Sequence, residues 1–321
     1  MPNQNKKTRP RPTSLYRIQN WSAYEKTLVQ RGSITFWLSD DFKTTWFYRG
    51  VKQRGAQFAY SAQAIELMLT VKEVFHLTNR QVEGFVCSLF ELLHLNLPVP
   101  DHSTLSKRSK TLKVNLPKKA RGALTLVMDS TGLKIYGEGE WKVRTHGTSK
   151  RRTWRKLHLG VDAASGEIQA AALTENSISD DAMAETLLQQ MTQPLAQFAA
   201  DGSYDKRKVY AALQTHVPAA KVLIPPRKNA RIWQHGNTHA ERLTRDENLR
   251  AIRQQGRKAW KATSGYHVRS LAETAMFRFK TIFGDGLSAR LLATQTTQAL
   301  IRGAALNKMT HLGMPQSYRV N

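Results

Sequence analysis

The sequence predicts an α/β protein, a mixed five-stranded sheet with flanking helices, preceded by an all-helical region. Three observations carry that expectation. Apolar residues recur at helical spacing through the early part of the chain, as in AQAIELMLTVKEVFHL. After PKKARG the pattern changes to short apolar runs bounded by turn residues, which is the signature of strands. The strand signals then alternate with helical ones, as they do where helices cover the faces of one sheet.

Residues 1–14 are polar, basic and proline-bearing, and read as a disordered arm. Residues 15–120 read as a helical domain. AQAIELMLTVKEVFHL gives one helix and TNRQVEGFVCSLFELLHL the next, with Thr78 or Asn79 as its N-cap. Pro98 and Pro100 break the chain, and Asp101 or Ser103 starts a short helix carrying Ser106, Lys107, Arg108 and Lys110. Helix, turn, short basic helix is the layout of a helix-turn-helix DNA reader. It is equally that of a helical bundle with one basic surface helix.

Residues 121–285 read as the sheet domain. ALTLVMDS is a strand ending in Asp129, and RKLHLGVD and EIQAAALT, joined through AASG, form an antiparallel hairpin. DAMAETLLQQMTQPL reads as a helix, AQFAADG as a strand ending in Asp201, DKRKVYAALQTH as a helix and KVLIPP as a fifth strand. Two basic segments interrupt this order. Residues 142–156 carry seven Lys/Arg and no acid, and residues 227–262 carry ten Lys/Arg against three acids. Strand, strand, strand, helix, strand, helix, strand and a last helix with Glu273 suggest a domain of the ribonuclease-H-like kind. Residues 286–321 follow as a C-terminal helical tail.

Charge narrows the function. Lys plus Arg number 49 against 24 Asp plus Glu, a formal +25, which attracts polyanions with strong salt dependence. The single cysteine, Cys87, excludes a disulfide framework and a cysteine-rich zinc site. With no apolar run of membrane length and no signal-peptide core at the start, a soluble cytoplasmic protein is expected. Nucleic acid is the better partner than a membrane surface.

The stretch YHVRSLAETAMFRFK carries the sharpest pattern. Wound at about 100° per residue, Tyr266, Arg269, Glu273 and Lys280 share roughly 60° of arc beside an apolar stripe of Ala272, Met276, Phe279 and Phe283. The plain reading is a solvated edge with an Arg269–Glu273 pair. A row of different polar groups also suits a long anionic ligand. Asp201 stands midway in the chain between Asp129 and Glu273. In the expected sheet the strands of Asp129 and Asp201 are neighbours, so their carboxylates can reach one spot. Hard oxygen donors on a phosphate-binding protein imply Mg²⁺ or Mn²⁺, and two ions suit displacement at phosphorus.

Each acid alone reads as well as a turn residue; the three together with the charge favour a metal site. Asp162 is assigned to its hairpin turn and Asp205 to a helix cap. His235 and His239 lack zinc-binding partners, and no nucleotide-binding P-loop motif occurs. Trp141, Trp154, Trp233 and Trp260 interleave with cations in the basic segments. They suit either stacking on unpaired bases or anchoring of an insertion.

Tyr266, Arg269, Glu273 and Lys280 stand at the spacing Y-x2-R-x3-E-x6-K. This resembles the signature around the catalytic glutamate of bacterial insertion-sequence DDE transposases. MDSTGLKIYGEGEWKVRTHG and ADGSYD are similar to the first- and second-aspartate segments of insertion-sequence family 5. The resemblance runs from about Tyr16 to the C-terminus. It implies that Asp129, Asp201 and Glu273 hold Mg²⁺ or Mn²⁺, and that Tyr266, Arg269 and Lys280 contact phosphates beside the scissile bond. Lys142, Arg144, Lys150, Arg151, Arg152, Trp154, Arg155 and Lys156 are expected to add DNA contacts, with Lys107 and Arg108 in the helical domain. The expected partners are terminal inverted repeats, target DNA, and a second copy of the chain in a homodimer or larger assembly. The rival expectations are a metal-dependent nuclease that joins no ends and a non-catalytic DNA-binding regulator.

Overall fold

The computed structural model describes residues 16–51, 54–55, 57–135, 154–234 and 242–320. A short strand β1 (Tyr16–Ile18) leads into α1 (Trp21–Arg31), α2 (Ile34–Trp37), α3 (Phe42–Thr45), α4 (Ala62–Val74), α5 (Asn79–Leu92) and α6 (His102–Arg108). Local chemistry sets the starts of the longer helices. Ser61 accepts from the Ala64 N–H at α4, and Thr78 and Gln81 close a reciprocal capping box at α5. Asp101 accepts from the N–H groups of Ser103 and Thr104 at α6. The apolar faces of α4, α5 and α6 meet Phe42 and Trp46 in one core with Ile65, Met68, Val82, Val86, Phe90 and Leu105.

Residues 93–101 join α5 to α6 by a drawn-out path, with the Pro98 carbonyl accepting from Trp46 Nε1 at 2.8 Å. A helix-turn-helix has a turn of about three or four residues. The path from α5 to α6 is longer than that.

The sheet comprises β2 (Leu124–Ile135), β3 (Trp154–Asp162), β4 (Ile168–Glu175), β5 (Leu195–Ala200) and β6 (Lys221–Leu223), in the order β4-β3-β2-β5-β6. β2, β3 and β4 form an antiparallel meander, while β5 and β6 run parallel to β2. That connectivity is ribonuclease-H-like, as expected. One strand was not foreseen: β7 (Gly286–Leu287) pairs with Lys134 and Ile135 at the far end of β2, making a six-stranded sheet. Its two residues are too short to leave a periodic signal.

Six further α-helices follow among the described residues: α7 (Ala184–Leu188), α8 (Arg207–His216), α9 (Thr244–Gln255), α10 (Arg257–Ser264), α11 (Ser270–Phe283) and α12 (Leu292–Leu312). One sheet face packs on α7 and α8 through Leu126, Met128, Phe198, Leu187 and Leu213. The opposite face meets α10 and α11 through Val127, Ala199, Trp260, Tyr266 and Ala272. The stripe of Ala272, Met276, Phe279 and Phe283 on α11 is buried as expected. Asp162 ends β3 as a turn residue, accepting from the N–H groups of Thr125 and Ser165.

The expected C-terminal tail is instead a central helix. α12 is buried along most of its length and packs on β4 and on α4. Arg302 reaches Glu73 of α4 at 2.6 Å and also donates to the Gly286 carbonyl, while Asn307 bonds both backbone groups of Ile168. Buried polar groups must be paired, and here they pair across the molecule. The N-terminal region is not wholly helical either, because β1 pairs antiparallel with β8 (Ser317–Arg319). Neither relation has a local sequence signature. Among the described residues no helix is long and apolar enough to cross a membrane.

Candidate active site

Asp129 was expected to close its strand but lies within β2, which runs on to Ile135 because β3 and then β7 continue to pair with it. On the other edge, β5 pairs with β2 only as far as Met128↔Ala200. The next residues in this parallel register are Asp129 and Asp201. Among the described residues no strand lies beside that edge between Met128 and Lys134, where the opening begins at the two acids. Alternation along each strand places Asp129 on the side of Val127 and Asp201 on the side of Ala199, the face covered by α10 and α11.

Asp201 also has the turn role that its Gly-Ser context suggests. It caps a 3₁₀ turn (Gly202–Tyr204) by accepting from the Ser203 N–H at 2.8 Å. The two readings of this residue are compatible.

The third acid comes from α11. Tyr266 to Lys280 is not one continuous α-helix, because Tyr266–Arg269 is a 3₁₀ turn and α11 begins at Ser270. Gly265, at φ +80°, ends α10 and lets the chain reverse there. Arg269 is thereby placed between two acids. Its Nη2 donates to Asp129 Oδ2 at 3.0 Å and its Nη1 to Glu273 Oε1 at 2.5 Å. The Arg269–Glu273 pair of the plain reading is present, but it is half of a bridge into the sheet.

Burial pushes the Asp129 carboxyl above its ordinary range. The Ser130 N–H and Arg269 oppose that rise, while the charges of Asp201 and Glu273 add to it. Tyr266 is buried against Trp260, with ring centroids 5.6 Å apart, and burial lifts its hydroxyl to about 12. Arg269 opposes that rise, and the charges of Asp201 and Asp129 add to it. Lys280 is partly exposed on α11, away from these contacts.

Several expected DNA contacts are tied up internally. Arg155 Nε donates to Gln295 Oε1 at 2.8 Å, and Lys156 bonds the Ile178 carbonyl and lies 3.1 Å from Asp180. Arg108 donates to the Tyr60 carbonyl at 2.7 Å and stacks over Phe58. The Trp154 ring lies across Gly132 on the neighbouring strand. These side chains serve the fold because strand pairing and helix packing bring acceptors to them. Lys107 remains exposed. Lys142, Arg144, Lys150, Arg151, Arg152 and Trp141 lie outside the described residues, as do His235 and His239.

Asp205 does not cap α8, whose N-cap is Lys206. Its carboxylate instead takes two bonds from Arg245, which also reaches Asp246 and stacks on Trp233. Trp233 and Trp260 therefore anchor the basic insertion, the second of the two roles considered for them.

Sequence reasoning missed a cluster on the other face of β2. Ser130 Oγ donates to Asp180 Oδ1 at 2.8 Å, and the fully buried His158 lies 3.8 Å from the same oxygen. Asp180 stands one residue ahead of the expected helix DAMAETLLQQMTQPL; it begins a 3₁₀ turn (Asp180–Met183) before α7, and only the adjacent acids Asp180 and Asp181 hinted at more.

Among the described residues no three His, Cys, Asp or Glu side chains stand close enough to enclose a metal ion. The donor chemistry still fits one. Asp129 and Glu273 already share a cation, the Arg269 guanidinium, and Asp201 adds a third hard oxygen donor.

Residues 29–138 match one transposase DDE domain model, and residues 120–308, more than half of the chain, match a second. A cryo-EM structure of the piggyBac transposase synaptic complex with hairpin DNA is similar at a TM-score of 0.40 and 9% identity, covering 90% of this chain and 77% of that one. The two family matches span the helical region, the sheet and the helix of Glu273, and by them the chain belongs to the DDE transposase family.

Proposed function

We propose that this chain is the transposase of a bacterial insertion sequence, similar to insertion-sequence family 5, that cuts DNA at the element's ends and joins them to target DNA. The observation that carries this is the approach of Asp129, from mid-strand, to Glu273, from α11, with Asp201 next in register. Asp129, Asp201 and Glu273 are the residues that would hold Mg²⁺ or Mn²⁺. When bound, such ions supply activation of the attacking oxygen and stabilisation of the leaving oxygen at phosphorus.

The chain's own residues set up the two displacements. In the first, water attacks a phosphodiester at the element end, the P–O3′ bond breaks, and the 3′-hydroxyl leaves with a proton. In the second, that hydroxyl attacks a target phosphodiester, and a target 3′-oxygen departs. Arg269 and Lys280 would hold phosphates next to the reacting one. Tyr266 would border the scissile strand. Lys107 and the basic residues of 142–152 would extend the contact along the duplex, and the helical region would read the terminal repeats.

Incubating the protein with a labelled element end, a target plasmid and Mg²⁺, and then mapping the products, tests the reading. Strand-transfer products support it. Cleavage without joining would make the protein a nuclease, and binding without either would make it a regulator.

A further inference from the structure

We propose that Arg269 occupies the cation position of the Asp129–Glu273 pair in the free protein, so that the guanidinium and a divalent cation compete for the same carboxylate oxygens. This rests on the metal-site reading above. It adds that the site is closed by one of its own side chains until that side chain leaves.

Three features support the competition. First, two nitrogens of one planar group meet acids from two different elements, Asp129 of β2 and Glu273 of α11. A guanidinium suits that bridging; an ammonium, a point charge, does not. Second, the Asp129 half of the bridge is sheltered, while Glu273 is exposed. The Arg269 side chain is 24% exposed and that of Asp129 14%. Charge interactions there are screened less than at a surface. Third, among the described residues the hydrogen-bond partners of this guanidinium are the acids themselves, and its Nε is buried and unpartnered. The seat is made for the charge end alone.

The cost to a metal is electrostatic. With Arg269 seated, the three acids attract a further cation less, and two of the oxygens it needs are engaged. Arg269 precedes α11, so rotation about its side-chain bonds is enough to vacate the seat without moving the helix. An anion that draws the guanidinium away would raise metal affinity, and by linkage metal would raise affinity for that anion. A phosphodiester has the required charge and geometry.

The test is Mn²⁺ binding to the full chain without DNA, followed by electron paramagnetic resonance of the free ion. Arg269→Gln removes the charge and is expected to bind Mn²⁺ about tenfold tighter than wild type or more. Arg269→Lys, which cannot span both acids, is expected to tighten binding by about threefold. Asp129→Asn should abolish the binding. If Asp129→Asn abolishes binding while both Arg269 variants match or fall below wild type, the competition is overturned and the metal site stands. Binding indifferent to Asp129→Asn overturns both. Should Arg269→Gln fail to fold, Arg269→Lys decides alone: tighter binding supports the proposal and unchanged binding rejects it.

Discussion

Arg269 Nη2 lies 3.0 Å from Asp129 Oδ2, joining groups 140 residues apart in the chain. The contact ties the turn before α11 to the middle of the central strand. It also fixes what substitutions at either residue should do.

Asp129→Asn, Asp201→Asn and Glu273→Gln should each abolish cleavage and joining while leaving DNA binding largely intact, because the formal +25 charge changes by one unit. Asp201→Asn is the cleanest of the three. Asparagine still caps the turn through Ser203, so the change removes charge and keeps the fold. Gel-shift and cleavage assays on the same preparations check this; undiminished cleavage in any variant would remove that residue from the reaction.

Lys280→Ala should leave folding intact and lower joining by about tenfold, or ~1.4 kcal/mol of transition-state stabilisation. A pure surface change would shift stability within about ±0.5 kcal/mol and do nothing else. Tyr266→Phe keeps the buried ring and removes only the hydroxyl. Its thermal midpoint should stay near wild type, so any loss of joining reports on the hydroxyl itself.

Arg302→Ala should cost about 3–5 kcal/mol, because it leaves the Glu73 carboxylate buried without its main cation. Burial alone would raise the Glu73 carboxyl, but Arg302 and Lys72 hold it below its ordinary value. For the same reason a fragment ending near residue 120 should fold poorly: it lacks Arg302 and also Ile301, which sits in the helical core. Circular dichroism and urea titration decide; a stable, cooperative fragment would show that α12 is dispensable to the helical region.

His158 gives a pH signature. Burial lowers it from 6.5 to about 4, so the folded protein keeps it neutral where the unfolded chain takes up a proton. Stability from this group should therefore fall as pH drops from about 6.5 to about 4, by up to about 3 kcal/mol, and be unaffected above that window. Comparing thermal midpoints at pH 7 and pH 5 for wild type and His158→Gln should show a smaller drop in the variant. Equal drops would place the acid sensitivity elsewhere.

The sequence alone marked the class of sheet and the succession of its main strands, and it singled out three acids as candidates. Those features are written locally. Alternation and turn residues mark strands such as RKLHLGVD, helical spacing marks α4, α5 and the buried stripe of α11, and Thr78 and Asp101 announce helix starts by side-chain chemistry. Net charge needs no structure at all. What stayed hidden depends on partners far away in the chain. β2 runs past Asp129 because β3 and then β7 keep pairing with it, and α12 is held at the centre by bonds to Glu73 and Ile168. Arg155, Lys156 and Arg108 carry the same charge as DNA-binding residues, and only folding brings the acceptors that engage them. Sequence fixed which groups carry charge and which positions are apolar, because those are properties of single residues and their near neighbours. Tertiary structure decided which charges are spent on one another, because that depends on distance in space, and it seated Arg269 between Asp129 and Glu273.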